Sequence, residues 1–291
     1  MRRCVVTLMS LAVAGTYASR AAAQSTDVAA LTAQLEALMQ VVETQASQIS
    51  ALQATVGAVA APISESDTNT SVGLNALDSL TTGTKNSAFG QDALTATTTG
   101  EKNGALGYGA LYSNTTGNKN MAVGFEALYT NTSGIDNAAL GYGALYSNTT
   151  GSYNTGTGSY ALYSNTTGEK NGGNGYAALY YNTTGSWNMA VGYQALFSNT
   201  EGNYNMASGY QALYTNTTGS FNLAGGYRAL YKNTTGAYNT GQGSYALYSN
   251  TTGSYNTASG YAALQANTTG EKNGALGYGA LYSNTTGSGN M

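Results

Sequence analysis

The chain has 291 residues, of which only 8% are charged, and its net charge is −3. No basic cluster marks a nucleic-acid footprint, and zero histidines with one cysteine leave out the commonest catalytic bases and nucleophiles. Glycine is abundant at 39 residues but keeps no Gly-X-Y period, which excludes collagen, and the single proline, Pro62, suits an uninterrupted backbone ladder.

The first predicted element is a signal peptide over residues 1–23. Arg2 and Arg3 supply a positive start, Val5 to Ala14 an apolar run, and Ala21-Ala22-Ala23 before Gln24 a small-residue cleavage site. The apolar run is too short and too often broken by Thr and Ser for a membrane-spanning helix, and no later segment could span a membrane as a helix. Cys4 lies inside the leader, so the exported chain would hold no thiol. Export without disulfides points to a bacterial cell surface, the outer membrane or the extracellular medium.

Residues 24–63 carry apolar residues at alternating spacings of three and four. Val28, Leu35, Val42, Ile49, Val56 and Ile63 fall at heptad position a, and Leu31, Leu38, Gln45, Leu52 and Val59 at d. That series predicts an α-helical coiled coil, with Gln45 as a buried polar layer, and β-branched residues at a with Leu at d favour a dimer where the helices are parallel. Gly57 and Pro62 mark where the helix should end.

Residues 64–291 form a tandem array. A 17-residue unit recurs without insertion or deletion, closed by Gly83, Gly100, Gly117 and onward to Gly287. Asn recurs at 69, 86, 103 and onward to 290, a second Gly at 73, 90 and onward to 277, Ala from Ala76 to Ala280 and Leu from Leu77 to Leu281. Seventeen residues rich in Gly, Asn and Thr are too few and too poor in helix formers for a helical repeat. The runs Met121–Val123 and Phe125–Tyr129 read as strands, bounded by turn chemistry at Gly124 and Asn131-Thr-Ser-Gly134. The predicted fold is therefore all-β: a parallel β-solenoid or β-roll of about thirteen 17-residue coils, stacked like over like at about 4.8 Å. Gly over Gly repeats a corner, Asn over Asn forms an amide ladder, and Leu and Ala fill a narrow lumen. So thin a lumen buries little per coil against the cost of ordering it. Packing between several chains, with burial of some of the 25 tyrosines, is therefore expected.

The segments Asn120-Met-Ala-Val-Gly-Phe-Glu-Ala-Leu, Asn188-Met-Ala-Val-Gly-Tyr-Gln-Ala-Leu and Asn103-Gly-Ala-Leu-Gly-Tyr-Gly-Ala-Leu resemble the head repeat of trimeric autotransporter adhesins. The resemblance covers about residues 68–291. It implies a left-handed parallel β-roll, a homotrimer, and attachment to extracellular matrix, glycan or another cell-surface ligand. The repeat of this chain is longer than the family's usual one, with the extra residues in the Asn-Thr-Thr-Gly segment. Its coiled coil precedes the head, and no stalk or membrane barrel follows within the sequence.

No catalytic constellation, cofactor site or metal site is expected. The calcium-binding β-roll needs Asp in its turns, where this chain has almost none. The pairs Glu101-Lys102, Glu169-Lys170 and Glu271-Lys272 read as exposed corner charges, and Gly172-Gly-Asn-Gly175 as a repeat corner rather than a phosphate loop. Asn-x-Thr at Asn114, Asn131 and Asn148 matches a glycosylation acceptor but reads more simply as turn chemistry.

Three aromatic columns remain. One runs from Tyr112 through Tyr129 and Phe197 to Tyr282, a second from Tyr108 through Phe125 to Tyr278, and both are expected to pack within or between protomers. The third comprises Tyr153, Trp187, Tyr204, Phe221, Tyr238 and Tyr255; because it tolerates Lys85, Lys102, Asp136 and Gly289, it is expected to be exposed and to form the adhesive face. These features predict a non-catalytic, exported adhesin-like repeat protein. A secreted biofilm or fibre protein is the alternative, with an ice-binding solenoid or a tail-fibre shaft further behind.

Overall fold

A computed structural model describes residues 36–49 and 68–291, and the chain divides into two units, 1–63 and 64–291. In the first unit residues 36–49 form helix α1, whose heptad residues Leu38, Val42 and Ile49 are exposed. The remaining heptads and the leader lie outside the described residues.

The second unit is a parallel β-solenoid. Thirteen three-residue strands, from β1 (Thr70–Val72) through β4 (Met121–Val123) to β13 (Gly274–Leu276), make one sheet in sequence order. Every strand pairs with its successor in parallel at an offset of one repeat: Met121 lies on Ala138, Ala122 on Ala139 and Val123 on Leu140. Each unit is thus one coil, with like residue over like.

From β2 to β13 the middle residue of each strand is buried in the lumen, and it is Ala in most coils (Ala88, Ala122, Ala139). Gly replaces it at Gly156, Gly173 and Gly241. The flanking residues point outward, as period two requires.

The second predicted strand is not one. Residues 125–130 form tight turns, with Glu126 and Leu128 in the left-handed region at φ 52° each. Leu takes this conformation in every coil, from Leu77 at 57° to Leu281 at 50°. A left-handed residue with a Cβ costs about 1–2 kcal/mol, but this turn sends the Leu side chain to full burial, which returns roughly 1.5–3 kcal/mol. Intercoil hydrogen bonding also continues through the turn: Glu126 N–H donates to Tyr108 O in the preceding coil (2.8 Å) and Leu128 N–H to Ala144 O in the next (3.0 Å).

The lumen has an apolar half of Ala and Leu and a second half lined by amides. In the first amide column, Asn137 Nδ2 donates to Gly151 O (2.8 Å), and Asn137 N–H to Asn120 Oδ1 (3.0 Å). The second column comprises the Asn residues of the Asn-Thr-Thr run. Asn148 Nδ2 donates to Asn131 Oδ1 (2.8 Å) and to the same Gly151 carbonyl (2.9 Å). From Gly117 to Gly287, therefore, two amides close each coil on one glycine carbonyl, which satisfies polar groups that would otherwise be stranded out of water.

The two glycine columns have different causes. Gly124 sits at φ 137°, a corner only glycine enters readily. Gly117 has no such angle; a Cβ there would meet Asn131 Nδ2 at 2.8 Å and the Gly134 carbonyl at 2.6 Å, so it is glycine for lack of space.

Candidate binding faces

The three aromatic phases form three columns, because the coil step brings successive rings to stacking distance wherever adjacent coils both carry one. Rings of the first column stack from Tyr112 to Tyr248 through Phe197, with centroids 4.9–5.3 Å apart, and are half-buried. The second column is broken where Ser159 and Ser244 replace the ring. There the aromatic moves one residue on, to Tyr160 and Tyr245, and each meets the first column edge-on: Tyr160 lies 5.7 Å from Tyr163, and Tyr245 5.7 Å from Tyr248. The first column is therefore packed within the chain, while Tyr108, Phe125 and Tyr142 of the second remain more than 40% exposed.

Burial raises the phenol pKa values of Tyr129, Tyr163, Tyr180 and Tyr214, and neighbouring tyrosines raise them further. A phenolate in this column would lose water and face the next phenolate one coil away.

In the third column Trp187, Tyr204, Phe221, Tyr238 and Tyr255 form one unbroken stack with centroid spacings of 5.9, 4.9, 4.8 and 5.0 Å. Tyr153 stands apart from it. Lys170 occupies the coil between, its Nζ 4.1 Å from the Trp187 ring centre and 6.0 Å from that of Tyr153, so a cation–π contact continues the column. The six side chains are 46–55% exposed. Their backbones are left-handed, from Tyr204 at φ 55° to Tyr153 and Trp187 at 61°, a conformation shared by Lys102 (58°), Asp136 (53°) and Gly289 (73°) of the same phase.

A further surface has no counterpart among the sequence expectations. The outward strand residues Val72, Phe89, Leu106, Met121 and Leu140 are 40–55% exposed and lie on successive coils, with a shallow hollow of about 150 Å³ between Phe89 and Val123. Its signal was the period-two pattern around each inward Ala, which leaves the residues on either side facing out.

The Asn-Thr-Thr run serves the fold. Asn114, Asn131 and Asn148 are fully buried with their amides engaged, so the folded coil does not present them as glycosylation acceptors. The N–H groups of Thr115, Thr116 and Gly117 all converge on Thr132 O (3.0, 3.1 and 3.2 Å), and the Thr115 hydroxyl donates there too (3.1 Å). Thr116 is exposed, so the run offers the solvent one free hydroxyl column rather than two. Gly172–Asn174 is a strand and Gly175 its corner at φ 135°.

Among the described residues no group of three or more His, Cys, Asp or Glu could hold a metal ion, and no helix is long and apolar enough to cross a membrane. No protein-family model matches the chain, and neither a curated protein nor a solved structure matches it.

Proposed function

We propose that this chain is a non-catalytic, exported binding rod of adhesin type, displayed at a bacterial surface or released from it. The observation that carries this reading is the exposed aromatic stack from Trp187 to Tyr255, held at a constant step by a backbone that leaves those side chains no structural task in the lumen. Contiguous exposed aromatic surface is uncommon on proteins that bind nothing, and a stacked solenoid repeats a weak contact many times along one line. The chemistry of the chain agrees, since no histidine is present and the carboxylates are scattered.

The rod works as a homotrimer in this reading. Two features favour association: the exposed heptad residues Leu38, Val42 and Ile49 on α1, and the apolar strand face from Val72 to Leu140. Burying that face between three protomers would relieve the thin lumen of a single coil. Residues 1–23 act as the export signal and 24–63 as the coiled coil that brings the chains together.

Sedimentation of residues 24–291 tests the assembly: a trimer is expected, and a folded monomer at micromolar concentration defeats it. Beads coated with that protein test attachment. They should adhere to immobilised matrix or cell-surface preparations, and a variant with Tyr204→Gly and Tyr238→Gly should adhere less. Equal adhesion by both proteins removes the aromatic stack from the reading.

A further inference from the structure

In the stack from Trp187 to Tyr255 successive rings turn their faces to one another. Its rings are within 11° of parallel, with centroids 4.8–5.9 Å apart. A flat ligand cannot enter between two of them, because two carbon contacts of about 3.5 Å each exceed one coil step. Solvent therefore meets a ribbed strip with phenol hydroxyls at three of its five rungs, Tyr204, Tyr238 and Tyr255.

The neighbouring columns extend the strip. Two residues beyond each ring, in the outward strand position, stand Met189, Met206, Leu223, Thr240 and Thr257; immediately before each ring stand Ser186, Asn203, Ser220, Ala237 and Ser254. None of these positions carries a charge, so the strip has no complement for a polyanion or a polycation.

A partner that gains from every rung must be a linear polymer lying along the coil axis with a matching rise. An extended peptide advances about 3.3 Å per residue, and a nucleic-acid strand about 3.4 Å per nucleotide with a charge on each; three such units span about two coil steps, so either polymer meets the strip in register only at alternate rungs. An extended β-1,4-linked pyranose chain advances by close to one coil step per sugar. It carries C–H groups on its two faces and equatorial hydroxyls along its edges, and as a glucan or an N-acetylglucosamine polymer it is uncharged. We propose that the Trp187–Tyr255 strip is a docking track for an extended, neutral β-1,4-linked polysaccharide, one sugar per rung. The C–H faces lie on the stacked rings and on Met189, Met206 and Leu223, and the equatorial hydroxyls bond the phenols. This assignment rests on the binding-rod reading above and names its ligand.

The test is co-sedimentation of the exported chain with microcrystalline cellulose and with chitin, together with titration by soluble β-1,4-linked glucose oligomers of increasing length. Retention on both solids is expected, with affinity rising at each added sugar until the rungs of the stack are filled. An α-1,4-linked glucan, which coils, and a β-1,3-linked glucan should bind at least tenfold more weakly. Tyr204→Gly with Tyr238→Gly should lower retention at least tenfold; at φ 55° and 57° glycine suits both backbones, and thermal melting checks the fold. Tyr142→Ser in the second column, where other coils already carry Ser159 and Ser244, should leave retention unchanged. Equal binding of β-1,4- and α-1,4-linked chains, or no length dependence, overturns the track even if the double variant is unfolded. If no polysaccharide binds while coated beads still adhere to matrix protein, the ligand assignment falls and the binding rod stands. If neither binds, both fall.

Discussion

Asn114 Nδ2 donates to Gly117 O at 3.1 Å and has no amide in the preceding coil to reach, because that coil carries Thr97 in the same phase. Thr97 is fully buried and its Oγ1 has no hydrogen-bond partner. Further along, every such pair is closed, as where Asn131 Nδ2 meets Asn114 Oδ1 at 2.8 Å. Thr97→Asn should supply the missing acceptor, remove the stranded hydroxyl and extend the column by one rung. A gain of about 1 kcal/mol is expected, read as a higher denaturation midpoint with an unchanged slope.

The reverse change in mid-column should cost more. Asn182 donates to Asn165 Oδ1 (2.7 Å) and Gly185 O (2.9 Å), and accepts from Asn199 Nδ2 (2.8 Å). Asn182→Leu leaves Asn165 Oδ1 and one Asn199 proton unpaired out of water, a loss of about 3 kcal/mol. Chemical denaturation of residues 24–291 measures it, and a change below about 0.5 kcal/mol would show that the column is not what closes the coils.

Two glycine substitutions should separate corner from strand. Gly124 lies at φ 137°, and a Cβ there would meet the Gly141 carbonyl carbon at 2.7 Å. Backbone cannot step aside as a side chain can, so Gly124→Ala should destabilise by about 3 kcal/mol or more. Gly104 lies in a strand with nothing within 4 Å of the added Cβ, and the same phase holds Met121 and Ala138 in the next coils. Gly104→Ala should be neutral or slightly stabilising. Similar melting of the two variants would contradict the corner geometry.

Coil number, parallel stacking and the inward Ala and Leu were legible in the sequence because direct stacking makes identity at a fixed period a packing requirement. The exposure of the third aromatic phase was legible for the opposite reason, its tolerance of Lys, Asp and Gly. The left-handed turn at Glu126 and Leu128 was not, since Phe125-Glu-Ala-Leu-Tyr129 has the short, largely apolar and aromatic make-up of a strand and no residue in it advertises a positive φ. The second amide column was hidden in plain turn chemistry: Asn131-Thr-Ser-Gly134 has the composition of a surface loop, yet Asn131 is fully buried. The face-to-face stacking from Trp187 to Tyr255 follows only from coordinates, because the phase of a ring does not fix its angle to the next.

The tyrosine column should set the alkaline limit of the fold. Burial first, then neighbouring tyrosines, hold the phenols of Tyr129, Tyr163, Tyr180 and Tyr214 above their ordinary value of 10.0. In the unfolded chain these phenols ionise near 10.0, before they do in the folded one. The folded state thus holds more protons between the two values, so stability falls as pH rises. Their contribution is fully present below 10.0 and is lost as pH climbs through the raised folded values. Unfolding monitored against pH should show no effect of these groups at neutrality and a progressive loss above 10.0, alongside a late-titrating class of phenols in the absorbance. Phe197 already stacks between Tyr180 and Tyr214, at 5.3 and 5.1 Å, so Tyr180→Phe keeps the column and removes one ionisable group. That variant should lose stability at higher pH than the parent. An identical alkaline midpoint would place the sensitive group outside this column.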